Sequence, residues 1–312
     1  MIKLQFLVNH FRETTEIVGR LLNSIAAQNG IIPEKDYGVI ICNDGCDNVL
    51  DEAFLNSFPF KIEYRVMPRR GVCATRNALL DMAKAEHVMF CDADDCFCSP
   101  NGAAALLHAA ENADVVASAF YKEVKTKDGF SLKKARGDVP LIHSKLYRLT
   151  YLLENDIRFP DEIQTAGDMS FVWQTVHMTN RIRRLAEPVY VWKWNGRSVT
   201  RSQRGAELRA NMITSYALLA EKMVRRQRKD LHDEIISTLI SAAYLDFTLG
   251  NWTEGAEPVK RAAVEFVRKF RPAYNSLDRE YRFKAYNRAL LMKRTYGPTS
   301  GFQGVQDWLK EV

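Results

Sequence analysis

The stretch His87-Val88-Met89-Phe90-Cys91-Asp92-Ala93-Asp94-Asp95 decides how the chain is read. Val88 to Cys91 is an apolar run of the buried-strand type. It stops abruptly at Asp92, Asp94 and Asp95. Desolvation and mutual repulsion both oppose three anions at a buried strand end, so the cluster calls for a compensating cation. A hard divalent metal with oxygen ligands, bridging to a phosphate, is one answer. A polar strand exit running into a helix is the other, because Asp95, Ser99 and Asn101 can all act as caps.

Upstream, Ile2 to Val8 alternates loosely between apolar and polar and reads as a first strand. Helical periodicity follows through Ile17, Val18, Leu21, Leu22 and Ile25. Tyr37 to Cys42 reads as a second strand ending at Asn43-Asp44-Gly45, Lys61 to Val66 as a third, and Thr75 to Lys84 as a helix. Strands alternating with helices predict βαβ units and a largely parallel α/β sheet. Ligands of such sheets bind beyond the carboxyl ends of the strands. Asn9-His10, Asn43-Asp44 and the aspartates from Asp92 to Asp95 all fall at such ends.

Downstream, a helix is expected from Gly102 to Glu111 and a strand from Asp114 to Tyr121. Lys127-Asp128-Gly129 has the composition of a hairpin turn. Ser144 to Asn155 reads as a helix, Asp161 to Ala166 as a loop, Asp168 to Asn180 as a helix, and Val189 to Trp194 as a short aromatic strand. Beyond Gly205 the pattern is helical only, over Ala206–Met223, Leu231–Leu249, Glu257–Phe270 and Ser276–Met292. The expected organisation is therefore an α/β domain over 1–204 and an all-helical, basic region over 205–312.

The 312 residues suit one larger or two modest domains, and an apolar fraction of 46% is ordinary for a globular chain. No apolar run approaches the length of a membrane span. Met1-Ile2-Lys3-Leu4 passes into a strand pattern without a signal-peptide layout, so a cytoplasmic protein is expected. All 6 cysteines lie between Cys42 and Cys98, with no paired CxxC and no matching histidine spacing; reduced thiols are expected rather than zinc or disulfides. Net charge is 44 − 38 = +6, of which the residues from Gly205 onward carry 18 − 13 = +5.

Gly71-Val72-Cys73-Ala74-Thr75-Arg76-Asn77 precedes the central strand. Gly71 permits a tight turn into a helix. Arg76 then lies in the first helical turn, where a cation works against the macrodipole. An anion nearby, such as a diphosphate, would explain it; a surface arginine at a helix start is the alternative.

Taken in order, Asn43-Asp44-Gly45, then Gly71…Ala74-Thr75-Arg76-Asn77, then Asp92-Ala93-Asp94-Asp95 is similar to the nucleotide-binding half of family 2 glycosyltransferases with the GT-A fold. The family order is a strand with Asp-Asp-Gly-Ser, then Gly…Ala-Arg-Asn, then an Asp-x-Asp metal motif. Further on, Lys145 to Pro160 resembles the segment leading to the acceptor site. Gly167-Asp168-Met169-Ser170-Phe171 stands where the family shows Glu-Asp-x-x-Phe. Val189-Tyr190-Val191-Trp192…Ser198-Val199-Thr200-Arg201 is similar to the aromatic strand and Ser-x-Thr-Arg that close the domain. Each motif alone is weak; the ordered set over residues 1 to 204 is specific.

The resemblance implies a GT-A domain, a nucleotide-sugar donor (UDP-linked) and Mn2+ or Mg2+. It implies that Asp44 bonds the uracil, that Arg76 lies near ribose or phosphates, and that Asp92 and Asp94 form the metal motif with Asp94 as direct ligand. Asp95 would contact the sugar, Asp168 would be the general base, and Arg201 and Trp192 would enclose the diphosphate and donor sugar. Asn9, at the first strand end, belongs to the same donor set. Asn43 and Cys46 replace the family's first Asp and its Ser, which leaves nucleotide identity open; Gly167 replaces its Glu.

Chemistry supports the same roles. Sugar transfer from a nucleotide diphosphate needs the leaving-group charge neutralised, which a metal does as a Lewis acid. It needs the attacking hydroxyl deprotonated. One carboxylate opposite the leaving group gives inversion by direct displacement. Asp168 also suits a helix N-cap.

In the last third, Arg225-Arg226-Gln227-Arg228-Lys229, Arg268-Lys269-Phe270-Arg271 and Arg279 to Tyr286 mix cations with aromatics. The pattern suits nucleic acid, an anionic membrane surface, or simply a solvated helical face. The acceptor expected is a glycan or lipid-linked glycan. A hydroxymethylated base in DNA is the alternative, and a non-catalytic nucleic-acid-binding protein on a transferase scaffold is the alternative of another class.

Overall fold

The computed structural model describes residues 2–311 apart from 138–139, 162, 164–165, 197–204, 226–228, 249–256 and 293–299. The chain divides into two compact units, Met1–Arg201 and Ser202–Val312.

The first unit is built on one sheet. Strands β1 (Leu4–His10), β2 (Tyr37–Asn43), β3 (Ile62–Val66) and β4 (His87–Asp92) run parallel in the order β3-β2-β1-β4. Helices α1 (Thr15–Ala26), α2 (Glu52–Leu55) and α3 (Val72–Met82) connect them. Strands β1, β2 and β4 are buried on both faces, which is why they read as near-continuous apolar runs, while the edge strand β3 is partly exposed. Phe6, Val8 and Met89 join Leu21, Leu22 and Ile25 of α1 in one core. Leu7, Ile40 and Phe90 join Leu79 and Leu80 of α3 in the other. Register sets Asn9 beside Asp92 and His10 beside Asn43, so the polar strand ends share one edge.

Beyond β4 the sheet is mixed. The remaining strands are β5 (Cys96–Phe97), β6 (Val115–Thr126), β7 (Gly129–Ala135), β8 (Lys145–Arg148) and β9 (Ile182–Trp192), with helices α4 (Gly102–Ala109), α5 (Leu149–Glu154) and α6 (Gly167–His177). β8 enters antiparallel between β4 and β6, and β9 runs parallel to β6. The expected Asp128-Gly129 hairpin is present, with Thr126 paired to Gly129 and Gly129 at φ 126°. The helix expected over Ser144–Asn155 is corrected: Lys145–Arg148 is a strand and only Leu149–Glu154 is helical. The cause is tertiary. Tyr147 fills the core edge-on to Phe90 and Phe171, while Ser144 at φ 61° breaks any continuous helix.

The second unit consists, among the described residues, of α7 (Gly205–Arg225), α8 (Lys229–Thr248), α9 (Glu257–Asn275), α10 (Arg279–Met292) and α11 (Ser300–Glu311). Its core includes Tyr216, Leu219, Ile236, Ile240, Phe266 and Val267. Asp246, fully buried there, accepts from Tyr216 Oη at 2.9 Å and pairs with Arg209, so its charge is compensated. Arg225 and Lys229 flank residues outside the description, and α11 carries Gly301 and Gly304, which hid it from helical periodicity.

Candidate active site

Asp92 ends β4, and the sheet edge brings two other elements to it. Gly71, at φ 93°, turns the chain into α3, which starts at Val72 and so carries Arg76 as its fifth residue, one turn in, rather than in the first turn that the sequence suggested. Arg76 is buried. Its Nη2 donates to Asp92 Oδ1 at 2.7 Å, and its Nη1 donates to Asp168 Oδ1 in the first turn of α6. Burial alone would lower the Arg76 pKa, but Asp168 and Asp92 outweigh it and hold the guanidinium charged. The anions that this buried cation requires are thus supplied by two of the expected site residues. Both carboxylates keep a solvent face, 28% exposed for Asp92 and 31% for Asp168.

The close approach of α3 and α6 has a local cause. A Cβ on Gly167 would fall under 3.0 Å from Cys73 Sγ. Where the resembling family has Glu before its Asp, this chain has no room for any side chain.

Asp44 is buried; its Oδ1 accepts from Arg70 N at 2.8 Å and its Oδ2 from Gly71 N at 3.1 Å. It therefore fixes the turn into α3. Beside it, Arg12 and Arg69 lie over the Phe11 ring at 4.8 and 4.9 Å. Trp192 closes β9 with Lys122 Nζ 4.8 Å from its ring. Asn9 Oδ1 is buried without a hydrogen-bond partner. Arg201, with Ser198 to Thr200, lies outside the described residues.

The aspartates behave differently from one another. Asp94 accepts from Asn195 Nδ2 at 2.7 Å, and burial, then the Asp92 charge, push its pKa up. Asp95 is 1% exposed and accepts from Lys193 N at 2.8 Å, while its Oδ2 has no partner. Burial, then Asp92 and Asp94, raise it well above the carboxylate range. Among the described residues, Asp92, Asp95 and His143 bring potential metal-ligand atoms within 4.8 Å of one another. The donor chemistry suits a divalent cation: crowded carboxylates are penalised without one, and the buried Asp95 Oδ2 lacks a partner. Asp94 stands outside that trio.

Three residues in this region escaped the sequence reading: Glu13, His143 and Asn195. Glu13 follows the first strand end; burial pushes its carboxyl up to about 7, with smaller contributions from Asp94 and Asp92. The position was visible, since it lies three residues past His10. His143 and Asn195 had no signal in the sequence; they lie just outside strands, His143 before β8 and Asn195 after β9.

The model of the glycosyl transferase family 2 matches residues 7–180. The chain belongs to that family. TarS of Staphylococcus aureus, a poly(ribitol-phosphate) beta-N-acetylglucosaminyltransferase, is 28% identical over 208 residues, covering 62% of this chain and 35% of that protein. A poly(ribitol-phosphate) beta-glucosyltransferase of Bacillus spizizenii is 28% identical over 198 residues, 57% of this chain and 30% of that protein. The chain therefore spans about a third of the length of these curated relatives. The structure of S. aureus TarS 1-349 in complex with UDP-GlcNAc superposes with a TM-score of 0.66 at 19% identity, covering 95% of this chain and 93% of that one. The GT-A fold followed by helices is shared. No helix of the described residues is long and apolar enough to cross a membrane.

Proposed function

We propose that this glycosyltransferase moves a sugar, with inversion, from a uridine-diphosphate sugar to a hydroxyl of a polyol-phosphate polymer, assisted by a divalent cation. The observation that carries this reading is the Arg76 bridge between Asp92 and Asp168, which puts a cation and two partly exposed carboxylates at the carboxyl edge of the sheet. The relatives acting on poly(ribitol-phosphate) favour that acceptor over a lipid-linked glycan or DNA.

Asp168 takes the proton of the attacking hydroxyl while the acceptor oxygen bonds the anomeric carbon and the bond to the diphosphate oxygen breaks. Its place in the first turn of α6 and its pairing with Arg76 aim it. Arg76 is placed to receive diphosphate charge as Asp168 turns to the acceptor. Asp44 holds the turn at Arg70 and Gly71 against which the base would lie. Trp192 and Lys122 form a wall for the donor sugar, and Asn9 Oδ1 is an open acceptor at the same edge. Asp92 is the carboxylate assigned to the cation, which when bound would neutralise charge on the departing UDP.

Thermal stabilisation by UDP, UDP-GlcNAc, UDP-glucose and GDP-mannose, each with and without Mn2+, tests the proposal. A ligand at about 100 times its Kd stabilises by about 2.7 kcal/mol, which a melting curve resolves. A Mn2+-dependent shift with uridine nucleotides, followed by sugar transfer to polyribitol phosphate, is expected. No shift with any nucleotide would sink it.

A further inference from the structure

On β6, Val116 and Phe120 face the core that α1 joins. Val115, Ala117 and Ala119 therefore face the other side of the sheet, where α3 and α6 pack and where α6 carries Asp168. A pocket of about 510 Å3 opens on that side, with Ala117 and Ala119 in its lining. Small residues make the room, since both alanines stop at a methyl. Gly137, just past β7, lies so close to β6 that a Cβ on it would collide with the Ser118 carbonyl. The β6–β9 register also breaks at Ser118/Ala119, where β9 jumps from Leu185 to Pro188 and Ala186 joins the lining. Bulges of this kind recur beside active sites.

The charged residues of the lining are all of one sign: Lys134, Arg136 and Arg184. Arg184 pairs with Ala117, and Lys134 alternates with Ala135, the partner of Phe120, so both stand on the Ala117 side. Neither Lys134 nor Arg184 forms an ion pair among the described residues. Like charges gathered round one concavity repel, and a shared anion offsets that cost.

We propose that this pocket is a phosphate subsite for the acceptor, in which Lys134 and Arg184, with Arg136, hold a phosphodiester of the polyol-phosphate chain while a hydroxyl of another unit reaches Asp168. Guanidinium and ammonium groups suit phosphate oxygens. The donor diphosphate has its own cation in Arg76, beside Asp92. β6 lies two strand spacings from β4, roughly 10 Å, which is more than one sugar unit spans. An anion held here thus belongs to an acceptor that continues past its reacting unit. The inference rests on the polyol-phosphate reading above and names the group by which a charged polymer is preferred to a neutral glycan.

Steady-state transfer to polyribitol phosphate by the full chain carrying Lys134→Gln and Arg184→Gln together tests it. Both side chains are exposed, so the fold should survive, and a melting curve checks that it does. The KM for the polymer is expected to rise at least about tenfold, with kcat and UDP affinity unchanged. In the parent the KM should also climb with NaCl, because salt screens exposed charges, and the double variant should show a shallower climb. A parent that transfers to polyribitol phosphate with a KM and salt dependence that the double variant leaves unaltered overturns the subsite alone. A parent that transfers to a neutral glycan but not to polyribitol phosphate overturns the acceptor reading and the subsite with it.

Discussion

Gly167→Ala tests why Arg76 can reach Asp168. At the first position of α6 the change should help the helix by about 1 kcal/mol, because glycine is the poorer helix former. The new Cβ, however, falls under 3.0 Å from Cys73 Sγ, and Cys73 is a buried residue of α3 with a one-bond side chain. The sulfur cannot swing far, so the helices must part. Overpacking of this kind costs about 1 to 3 kcal/mol. The net expectation is a destabilisation of α6 of up to about 2 kcal/mol. Asp168 follows directly, and displacement of a catalytic group by about 1 Å costs about a hundredfold in rate. Hydrogen exchange on peptides covering 166–177 reads the cost locally, without assuming that two units unfold together. The discriminating arm is Cys73→Ala. In that background the clash is gone, so Gly167→Ala should become neutral or stabilising, a coupling of about 1 to 3 kcal/mol. The same Gly167→Ala cost with and without Cys73 would refute the reasoning.

Glu13→Gln should remove a pH dependence. Folding raises the Glu13 pKa from 4.5 to about 7, so the unfolded chain ionises first and stability falls as pH rises between those values. The variant keeps the acceptor for Phe11 N and should be more stable than the parent at pH 8, by up to about 3 kcal/mol, and equal at pH 4; denaturant titrations at both values check it. Asp44→Ala deletes the acceptor of the Arg70 and Gly71 N–H groups. A cost of about 1 to 3 kcal/mol is expected. Calorimetric titration should show weaker UDP binding, and unchanged affinity would remove Asp44 from the base site.

The parallel half of the sheet and its polar edge were legible because buried strands leave continuous apolar runs and Asn9, Asp44 and Asp92 interrupt them at their ends. The order of the motifs carried the family. Beyond β4 the sequence was less informative. Lys145 to Arg148 has no strand signature of its own and is a strand because β4 and β6 need a partner between them. β9 reaches back to Ile182 through a charged stretch, Arg183-Arg184, where exposure hides the alternation. His143 and Asn195 sit in the site only because chain segments far apart in sequence meet there. Asp94 and Asp95 are adjacent, yet one is tied to Asn195 and the other to the Lys193 backbone. Local pattern cannot distinguish neighbours that a strand end sends to opposite partners.

The central claim is that Asp168 removes the proton of the acceptor hydroxyl at a site assembled by Arg76. Its most direct test is the rate of sugar transfer from UDP-GlcNAc and UDP-glucose to polyribitol phosphate by Asp168→Asn, measured beside UDP affinity. The account predicts a rate at least about a hundredfold lower, the low end of a general base's contribution, at near-normal UDP affinity. Transfer by the Asn variant at the parent rate would contradict it.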